Sequence, residues 1–230
     1  MEGHGSSVGP FRRLAGLQSH EDVLDVGCGF GRGALALVPY LTGRYEGFDV
    51  DAERIDRCQK NITPQHPNFR FTHVDVFNDA YHDGGVPASE FAFPYSDDSF
   101  DLVFGVSIFT HLLPDDMEHY CAEIRRVLRV GGRLMFSLFL LSPASRAKLA
   151  QGGVVADALL ENDQGDYSKA YEKAEDLIAY RQGYVRDVWE RTGFEITLIR
   201  HGNWPEWATG EREDYSQDLI IGTNGGASSA

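Results

Sequence analysis

The chain has 230 residues, enough for one well-buried α/β domain but too few for two full domains. Its 42% hydrophobic and 24% charged residues are ordinary for a soluble globular protein. The formal net charge of −14 disfavours nucleic acid as a partner, because so acidic a surface repels a phosphate backbone. The composition therefore favours a small-molecule substrate.

The cysteines and the apolar runs indicate the cellular compartment of the protein. Cys28, Cys58 and Cys121 are widely spaced and form no Cys-x-x-Cys pair, which is typical of free thiols in a reducing cytosol. Residues 1–10 lack the apolar core and basic start of a secretory signal, and the run 134–141 is too short to span a bilayer. We therefore expect a cytoplasmic protein without membrane association, either a monomer or a homodimer.

Short apolar runs rich in β-formers alternate with helical patterns, as in parallel strands joined by crossover helices. The predicted strands are 22–26, 45–50, 69–74, 100–106, 133–141, 194–200 and 217–222. The predicted helices are 31–41, 51–61 with Asp51 as N-cap, 115–128 and 184–192. Helix 115–128 is the clearest, because one apolar stripe repeats with helical spacing: Met117, Tyr120, Cys121, Ile124 and Leu128.

Two stretches interrupt this alternation. Residues 77–99 contain paired glycines and two prolines, which predicts a structured loop, and residues 142–182 separate the fifth strand from the last helix. Loops of this length in a compact domain are usually functional, and both stretches carry aromatic side chains. We expect a single domain over 1–225, with the insertion 142–182 as a substrate lid, the loop 81–95 as a second lid candidate, and a flexible tail at 226–230.

The segment Gly27-Cys28-Gly29-Phe30-Gly31 lies between the first predicted strand and helix, where glycine lets a ligand approach exposed backbone N–H groups. The pattern Gly29-x-Gly31-x-x-Ala34 also satisfies a dinucleotide-binding motif, so an NAD-dependent oxidoreductase is an alternative. In that register the motif begins two residues late for the strand. Asp25, inside the strand, suits a ligand with an amino group and a sulfonium charge better than a pyrophosphate.

Two further carboxylates end predicted strands at the edge where open α/β sheets bind ligands. Asp49 ends the second strand at the spacing typical of a ribose-binding carboxylate, which both cofactor types would use. Asp75 ends the third strand, where it could accept a hydrogen bond from an adenine amine with Val50 and Val76 beside the ring. Asp75 therefore favours the sulfonium cofactor.

These residues resemble motifs of the class I S-adenosylmethionine-dependent methyltransferases. The resemblance covers roughly residues 20–141 and is carried by VLDVGCGFGR (23–32), GFDVD (47–51), FPYSDDSFDLV (93–103) and FTHLLP (109–114) running into EIRRVLRVGGRL (123–134). Gly193-Phe194 and QDLII (217–221) extend it, whereas Val130 stands where relatives usually have proline. The resemblance implies a Rossmann-like three-layer α/β sandwich with a seven-stranded, mostly parallel sheet of order 3-2-1-4-5-7-6, the last strand antiparallel.

The resemblance also implies S-adenosyl-L-methionine as cofactor and a binding site of nine residues: Asp25, Gly27, Cys28, Gly29, Asp49, Val50, Asp75, Val76 and Ser107. Asp25 and the glycine backbone would hold the methionine part, and Asp49 the ribose. Asp75 with Val76 would hold the adenine, and Ser107 would lie near the methionine amine or the methyl donor.

We expect methyl transfer to an oxygen or nitrogen of a small molecule, such as a sugar or a secondary metabolite. An alcohol acceptor needs a base, and His111, on the turn after the fourth strand, is the candidate. The alternative role for His111 is to cap or pack on the following helix. A class I fold that binds the cofactor without transferring methyl is a further alternative. The histidines have no metal-ligand spacing, so we expect no metal.

Overall fold

The computed structural model of the protein describes residues 8–79, 81–171, 176–211, 213 and 216–226. The strands in these residues are β1 Val23–Val26, β2 Tyr45–Asp49, β3 Phe69–His73, β4 Phe100–Gly105, β5 Leu128–Leu141, β6 Tyr167–Lys169, β7 Ile178–Arg181, β8 Phe194–Arg200 and β9 Asp218–Asn224. The helices are α1 Gly9–Leu14, α2 Arg32–Leu37, α3 Ala52–Asn61, α4 Pro114–Val127, α5 Pro143–Leu149, α6 Val154–Glu161, α7 Gln182–Thr192 and α8 Trp204–Ala208. Single turns of 3-10 helix lie at Ala88–Glu90 and Phe109–His111.

The main sheet has the order β3-β2-β1-β4-β5-β9-β8. Strands β1 to β5 pair in parallel, β9 runs antiparallel to β5, and β8 runs antiparallel to β9. Because β8 and β9 are the sixth and seventh predicted strands, this is the predicted order 3-2-1-4-5-7-6, which is confirmed. The segments that follow β1, β2, β3 and β4 therefore meet at one edge of the sheet.

Helices cover both faces of this sheet. Side chains alternate along β4, so Val103 packs into one apolar cluster, while Leu102 and Phe104 pack into another. The first cluster includes the buried faces of α4 and α7, and the second includes those of α1, α2 and α3. The predicted three-layer sandwich is thus confirmed, with a buried core on each side of the sheet.

The boundary between α4 and β5 differs from the sequence prediction. The stripe on α4 is buried as predicted, but the helix ends at Val127, and Leu128 already has extended backbone with φ −88° and ψ 125°. Leu128 begins β5 opposite Phe100 of β4, and Gly131 lies within the strand rather than at the end of the helix. Pairing with β4 overrides the helical pattern at this point.

The insertion 142–182 is a packed structure in its described part. It contains α5, α6, β6 and β7, and β7 pairs in parallel with the last residues of β5. Apolar side chains of the insertion, among them Leu149 and Leu159, form a third cluster with Phe139 of β5 and Trp204 of α8. Of the expected tail 226–230, only Gly226 belongs to the described residues, and the rest lies outside them.

Candidate functional site

The glycine loop (residues 27–31) connects β1 to α2 at the carboxyl edge of the sheet. Gly27, Gly29 and Gly31 have φ angles of 71°, 52° and 73°, in the left-handed region that favours glycine. The N–H groups of Gly27 and Cys28 donate to the carbonyl oxygen of Phe48 on β2, at 3.0 and 2.9 Å. A Cβ on Gly27 would lie 2.9 Å from Cδ1 of Ile108, whereas a Cβ on Gly29 would meet no atom within 4 Å. The backbone at Gly29 therefore borders open space.

Asp25 is buried beneath this loop, with 3% of its surface exposed. The hydroxyl of Tyr45 donates to Asp25 Oδ2 at 2.5 Å. The pKa of Asp25 is raised to about 7: burial raises it most, the Tyr45 hydrogen bond lowers it, and the charge of nearby Asp49 raises it. A Cβ on Gly33 would lie 2.6 Å from Asp25 Oδ2, so only glycine lets α2 approach this carboxyl group.

Asp49 fixes the shape of the glycine loop from the end of β2. Its Oδ2 accepts the N–H of Gly29 at 2.7 Å, and its Oδ1 accepts the N–H of Asp51 at 3.0 Å. The side chain is buried but lines the same open space as Asp25. Asp51 caps α3 as predicted, since its Oδ1 accepts the N–H groups of Glu53 and Arg54.

A cavity of about 690 Å³ opens at this edge of the sheet. It has the size usual for small-molecule sites, which is roughly 300–1,000 Å³. Nine of the ten residues predicted from the sequence line it: Asp25, Gly27, Cys28, Gly29, Asp49, Val50, Val76, Ser107 and His111. Four large apolar side chains of the lining are 42–57% exposed and form a rim at the opening: Phe30, Phe77, Tyr81 and Val106.

Asp75 is the predicted site residue that the structure does not bring to the cavity. Its side chain is 71% exposed, and its Oδ1 lies 2.7 Å from His82 Nε2, within hydrogen-bond distance. The chain turns back here, because the N–H of Val86 donates to the carbonyl of Asp75 at 3.1 Å, and Val76 bridges to Val86. This return places His82 over the carboxylate, while Val76, the next residue, lines the cavity.

His111 lies on the 3-10 turn after β4, with Nε2 3.2 Å from the hydroxyl oxygen of Tyr81. Two side chains from distant segments hold the backbone of this turn. Asn78 Nδ2 donates to the carbonyl of His111 at 2.8 Å, and the Tyr180 hydroxyl donates to the carbonyl of Leu112. These contacts hold the turn that carries His111 at the cavity wall, and no sequence motif predicts them.

The cover loop (residues 77–99) rather than the insertion 142–182 reaches the cavity. Phe77, Asn78, Tyr81 and Ala88 line it, whereas no residue that the structure describes in the insertion does. Arg54 of α3 was also missed from the sequence; its guanidinium carbon lies 5.2 Å from the ring centre of Phe30 and 5.5 Å from that of Tyr81. It bridges the glycine loop and the cover loop.

The described residues contain no group of three or more His, Cys, Asp or Glu side chains able to hold a metal ion. Within the same part of the chain, no helix is long and apolar enough to cross a membrane.

Comparison with known proteins identifies the family. Residues 23–132 match the family model described as a methyltransferase domain. The chain is 30% identical over 202 residues to the 27-O-demethylrifamycin SV methyltransferase of Amycolatopsis mediterranei, covering 82% of this chain and 68% of that one. The chain belongs to the class I S-adenosylmethionine-dependent methyltransferases. Methyltransferase GfsG of Streptomyces halstedii is a second relative, 31% identical over 54% of this chain and 39% of its own.

The fold agrees with this assignment. A solved structure of 1,6-didemethyltoxoflavin-N1-methyltransferase from Burkholderia thailandensis, with S-adenosylhomocysteine bound, superposes with a TM-score of 0.60 at 16% identity. That similarity covers 96% of this chain and 77% of the other. S-adenosylmethionine is the cofactor that membership of this family gives. The open backbone at Gly29 and the buried carboxylates of Asp25 and Asp49 at one cavity fit such a cofactor.

Proposed function

We propose that this methyltransferase transfers the methyl group to an oxygen atom of an apolar small molecule of the secondary-metabolite kind. The observation that carries the proposal is the continuity of one cavity from Asp25 and the glycine loop to His111. The apolar rim suits a hydrophobic acceptor. The Amycolatopsis relative, whose name gives 27-O-demethylrifamycin SV as its substrate, supports an acceptor of this class.

In this proposal S-adenosylmethionine, when bound, supplies a methyl group on a sulfonium that needs no covalent help from the protein. The glycine loop and the two buried carboxylates orient that group, and positioning accounts for most of the acceleration. His111 accepts the proton of the acceptor hydroxyl at Nε2, the atom next to the Tyr81 hydroxyl. Asn78 and Tyr180 keep the His111 turn in place through its two carbonyls.

Nitrogen is the alternative acceptor atom, because the lone pair of a neutral amine can attack the methyl group without prior deprotonation. The presence of His111 on the cavity wall favours oxygen. The two acceptor types differ in one measurable respect, because only an oxygen acceptor should depend strongly on a base.

The test is methyl transfer from S-adenosylmethionine carrying a tritiated methyl group. The acceptors are a panel of hydroxylated secondary metabolites that includes 27-O-demethylrifamycin SV, with 1,6-didemethyltoxoflavin as the nitrogen acceptor. We expect label on a hydroxyl compound, and His111→Ala should lower its turnover by about 10²- to 10⁴-fold. Affinity for S-adenosylhomocysteine, measured by calorimetry, should not change.

His20→Ala is the matched control, because His20 is exposed and precedes β1, at the opposite end of that strand from the glycine loop. It should retain the wild-type turnover. Full turnover of a hydroxyl acceptor by His111→Ala would remove His111 from the mechanism. Label on nitrogen alone would overturn the oxygen assignment, and cofactor binding without any labelled product would overturn the proposed activity.

A further inference from the structure

Three residues from separate segments of the chain form a closed hydrogen-bonded ring beside the cavity. This polar ring consists of Ser107 after β4, Ser137 on β5 and Gln217 just before β9. The N–H of Ser107 donates to Ser137 Oγ at 2.9 Å, Ser137 Oγ donates to Gln217 Oε1 at 2.5 Å, and Gln217 Nε2 donates to Ser107 Oγ at 2.9 Å. Only Ser107 of the three lines the cavity.

The hydrogen bonds of this ring give each proton a direction. A backbone N–H can only donate, so Ser137 Oγ accepts from Ser107, and Ser137 Oγ donates its own proton to Gln217 Oε1. The amide of Gln217 is thereby oriented with its NH₂ group toward Ser107. Ser107 Oγ accepts that hydrogen bond, and its own proton has no acceptor among the residues that the structure describes.

The partners of Ser107 in the ring lie on the side of β4 that faces away from the glycine loop. Ser137 belongs to β5 and Gln217 directly precedes β9, and these two strands lie on the side of β4 opposite β1. The cavity extends to that side, since Met135 of β5 and Leu219 of β9 also line it. The backbone of Ser107 is left-handed, with φ 62°, and its carbonyl accepts from Thr110 Oγ1 at 2.9 Å, on the turn that carries His111.

We propose that Ser107 donates a hydrogen bond to an oxygen atom of the methyl acceptor, and that Gln217 is the positioning residue that keeps this proton directed into the cavity. The inference rests on the proposed function and narrows it. A hydroxyl, phenolate or carbonyl oxygen has more than one lone pair, so it can accept from this donor while another lone pair attacks the methyl group; a neutral amine uses its single lone pair in that attack and has none left for the donor. The polar ring therefore selects an oxygen-bearing acceptor.

The test uses the full chain saturated with S-adenosylhomocysteine and compares binding of 2-naphthol with that of 2-methylnaphthalene by calorimetry. The two probes share the fused rings and differ in the oxygen atom. Gln217→Glu keeps an acceptor for Ser137 but gives Ser107 a second acceptor, so the Ser107 proton turns away from the cavity. Gln217→Leu removes both partners, and Gln65→Glu, at an exposed residue of the turn after α3, is the matched control.

We expect the wild-type preference for 2-naphthol over the hydrocarbon to fall by about two- to tenfold in both Gln217 variants, the range of one neutral hydrogen bond. Gln65→Glu should keep the preference. In Gln217→Glu the preference should recover at acidic pH, because a protonated carboxyl can again donate to Ser107. A purely structural role of Gln217 would give no such recovery.

Several results would overturn the inference. These are an unchanged preference in both Gln217 variants, failure of both probes to bind the wild-type complex, or loss of S-adenosylhomocysteine affinity in Gln217→Glu and Gln217→Leu alike. The last result would assign the Ser107 proton to the cofactor's carboxylate or Gln217 to folding. This experiment measures binding, whereas the test of the proposed function measures methyl transfer. An absence of methyl transfer to every hydroxyl compound would therefore count against the proposed function without deciding the role of Ser107.

Discussion

Replacing Asp25 by asparagine should stabilise the ligand-free protein at neutral pH while weakening its affinity for the cofactor. Burial is the main reason that the pKa of Asp25 rises from 3.8 to about 7, so the folded chain holds an unfavourable charge above that pH. The difference is about 3 units, and at 1.36 kcal/mol per unit it corresponds to roughly 4 kcal/mol as an upper bound. Asparagine has nearly the same shape and no charge.

The pH dependence follows from the direction of the shift. Between pH 3.8 and about 7 the unfolded chain is ionised at Asp25 while the folded chain keeps the proton, so unfolding releases a proton. The free energy of unfolding therefore falls as the pH rises through this window and is level above it. An asparagine side chain at this position would not titrate; the stability gained by Asp25→Asn should be largest above pH 7 and should vanish toward pH 3.8.

The assay is urea-induced unfolding of wild type and Asp25→Asn at several pH values across that window. The difference between the two proteins isolates this one group, since the other titrating residues are common to both. A difference that does not change with pH would refute the reasoning. Tyr45→Phe is an informative companion, because removing the hydroxyl that lowers the pKa of Asp25 should move the pH dependence to higher pH.

Asp25→Asn should weaken cofactor binding, although it stabilises the ligand-free protein. If the Asp25 carboxylate holds the methionine amine, wild-type affinity for S-adenosylhomocysteine should fall as the pH drops below about 7, since a proton then competes with the ligand. The affinity of Asp25→Asn should lack this dependence and be about 10- to 100-fold weaker at pH 8, the loss expected for a hydrogen bond to a charged group. Calorimetry over the same pH range measures both effects.

Two further pairs of variants test the rest of the site. Gly29→Ala and Gly131→Ala place a Cβ at φ 52° and 78° with no atom within 4 Å, so each should cost about 1–2 kcal/mol of stability; only Gly29→Ala should also weaken S-adenosylhomocysteine binding. Equal affinities of the two variants in calorimetry would mean that the backbone at Gly29 does not border the ligand. Asn78→Ala and Tyr180→Phe should each lower turnover by about tenfold through displacement of the His111 turn, with cofactor affinity unchanged. Wild-type kcat in both variants, measured with the acceptor found in the tritium assay, would show that the turn needs neither contact.

The order of the main sheet was predictable because its determinants are local. Strands β1, β2 and β4 are short, largely buried runs that end at, or directly before, a polar or glycine residue, and the run 100–105 is buried almost throughout, as a central strand must be. Connections between parallel strands are right-handed in nearly all proteins, which leaves few topologies once the runs are known. Gly27 and Asp49 could be assigned to one edge of the sheet for the same reason.

Other features were not predictable, because contacts far along the chain determine them. The exposed position of Asp75 results from its pairing with His82, within a loop that the alternation of strands and helices does not describe. The insertion 142–182 was expected to act as a lid. Its apolar residues pack instead on Phe139 and Trp204, and periodicity within the segment carries no information about that partner surface. Whether the insertion contributes to acceptor binding stays a prediction.

The two halves of the cavity thus differ in how the sequence specifies them. The cofactor half is held by hydrogen bonds that Asp49 makes to Gly29, twenty residues earlier, and to Asp51 close by. The acceptor half is held by Asn78, Tyr180 and Gln217, which reach the turn after β4 from three separate segments. Substitutions in those segments can reshape the acceptor wall without disturbing the glycine loop. A relative that is 30% identical, such as the Amycolatopsis enzyme, would then share the cofactor, while the proposed acceptor of this chain could differ from the acceptor of that relative.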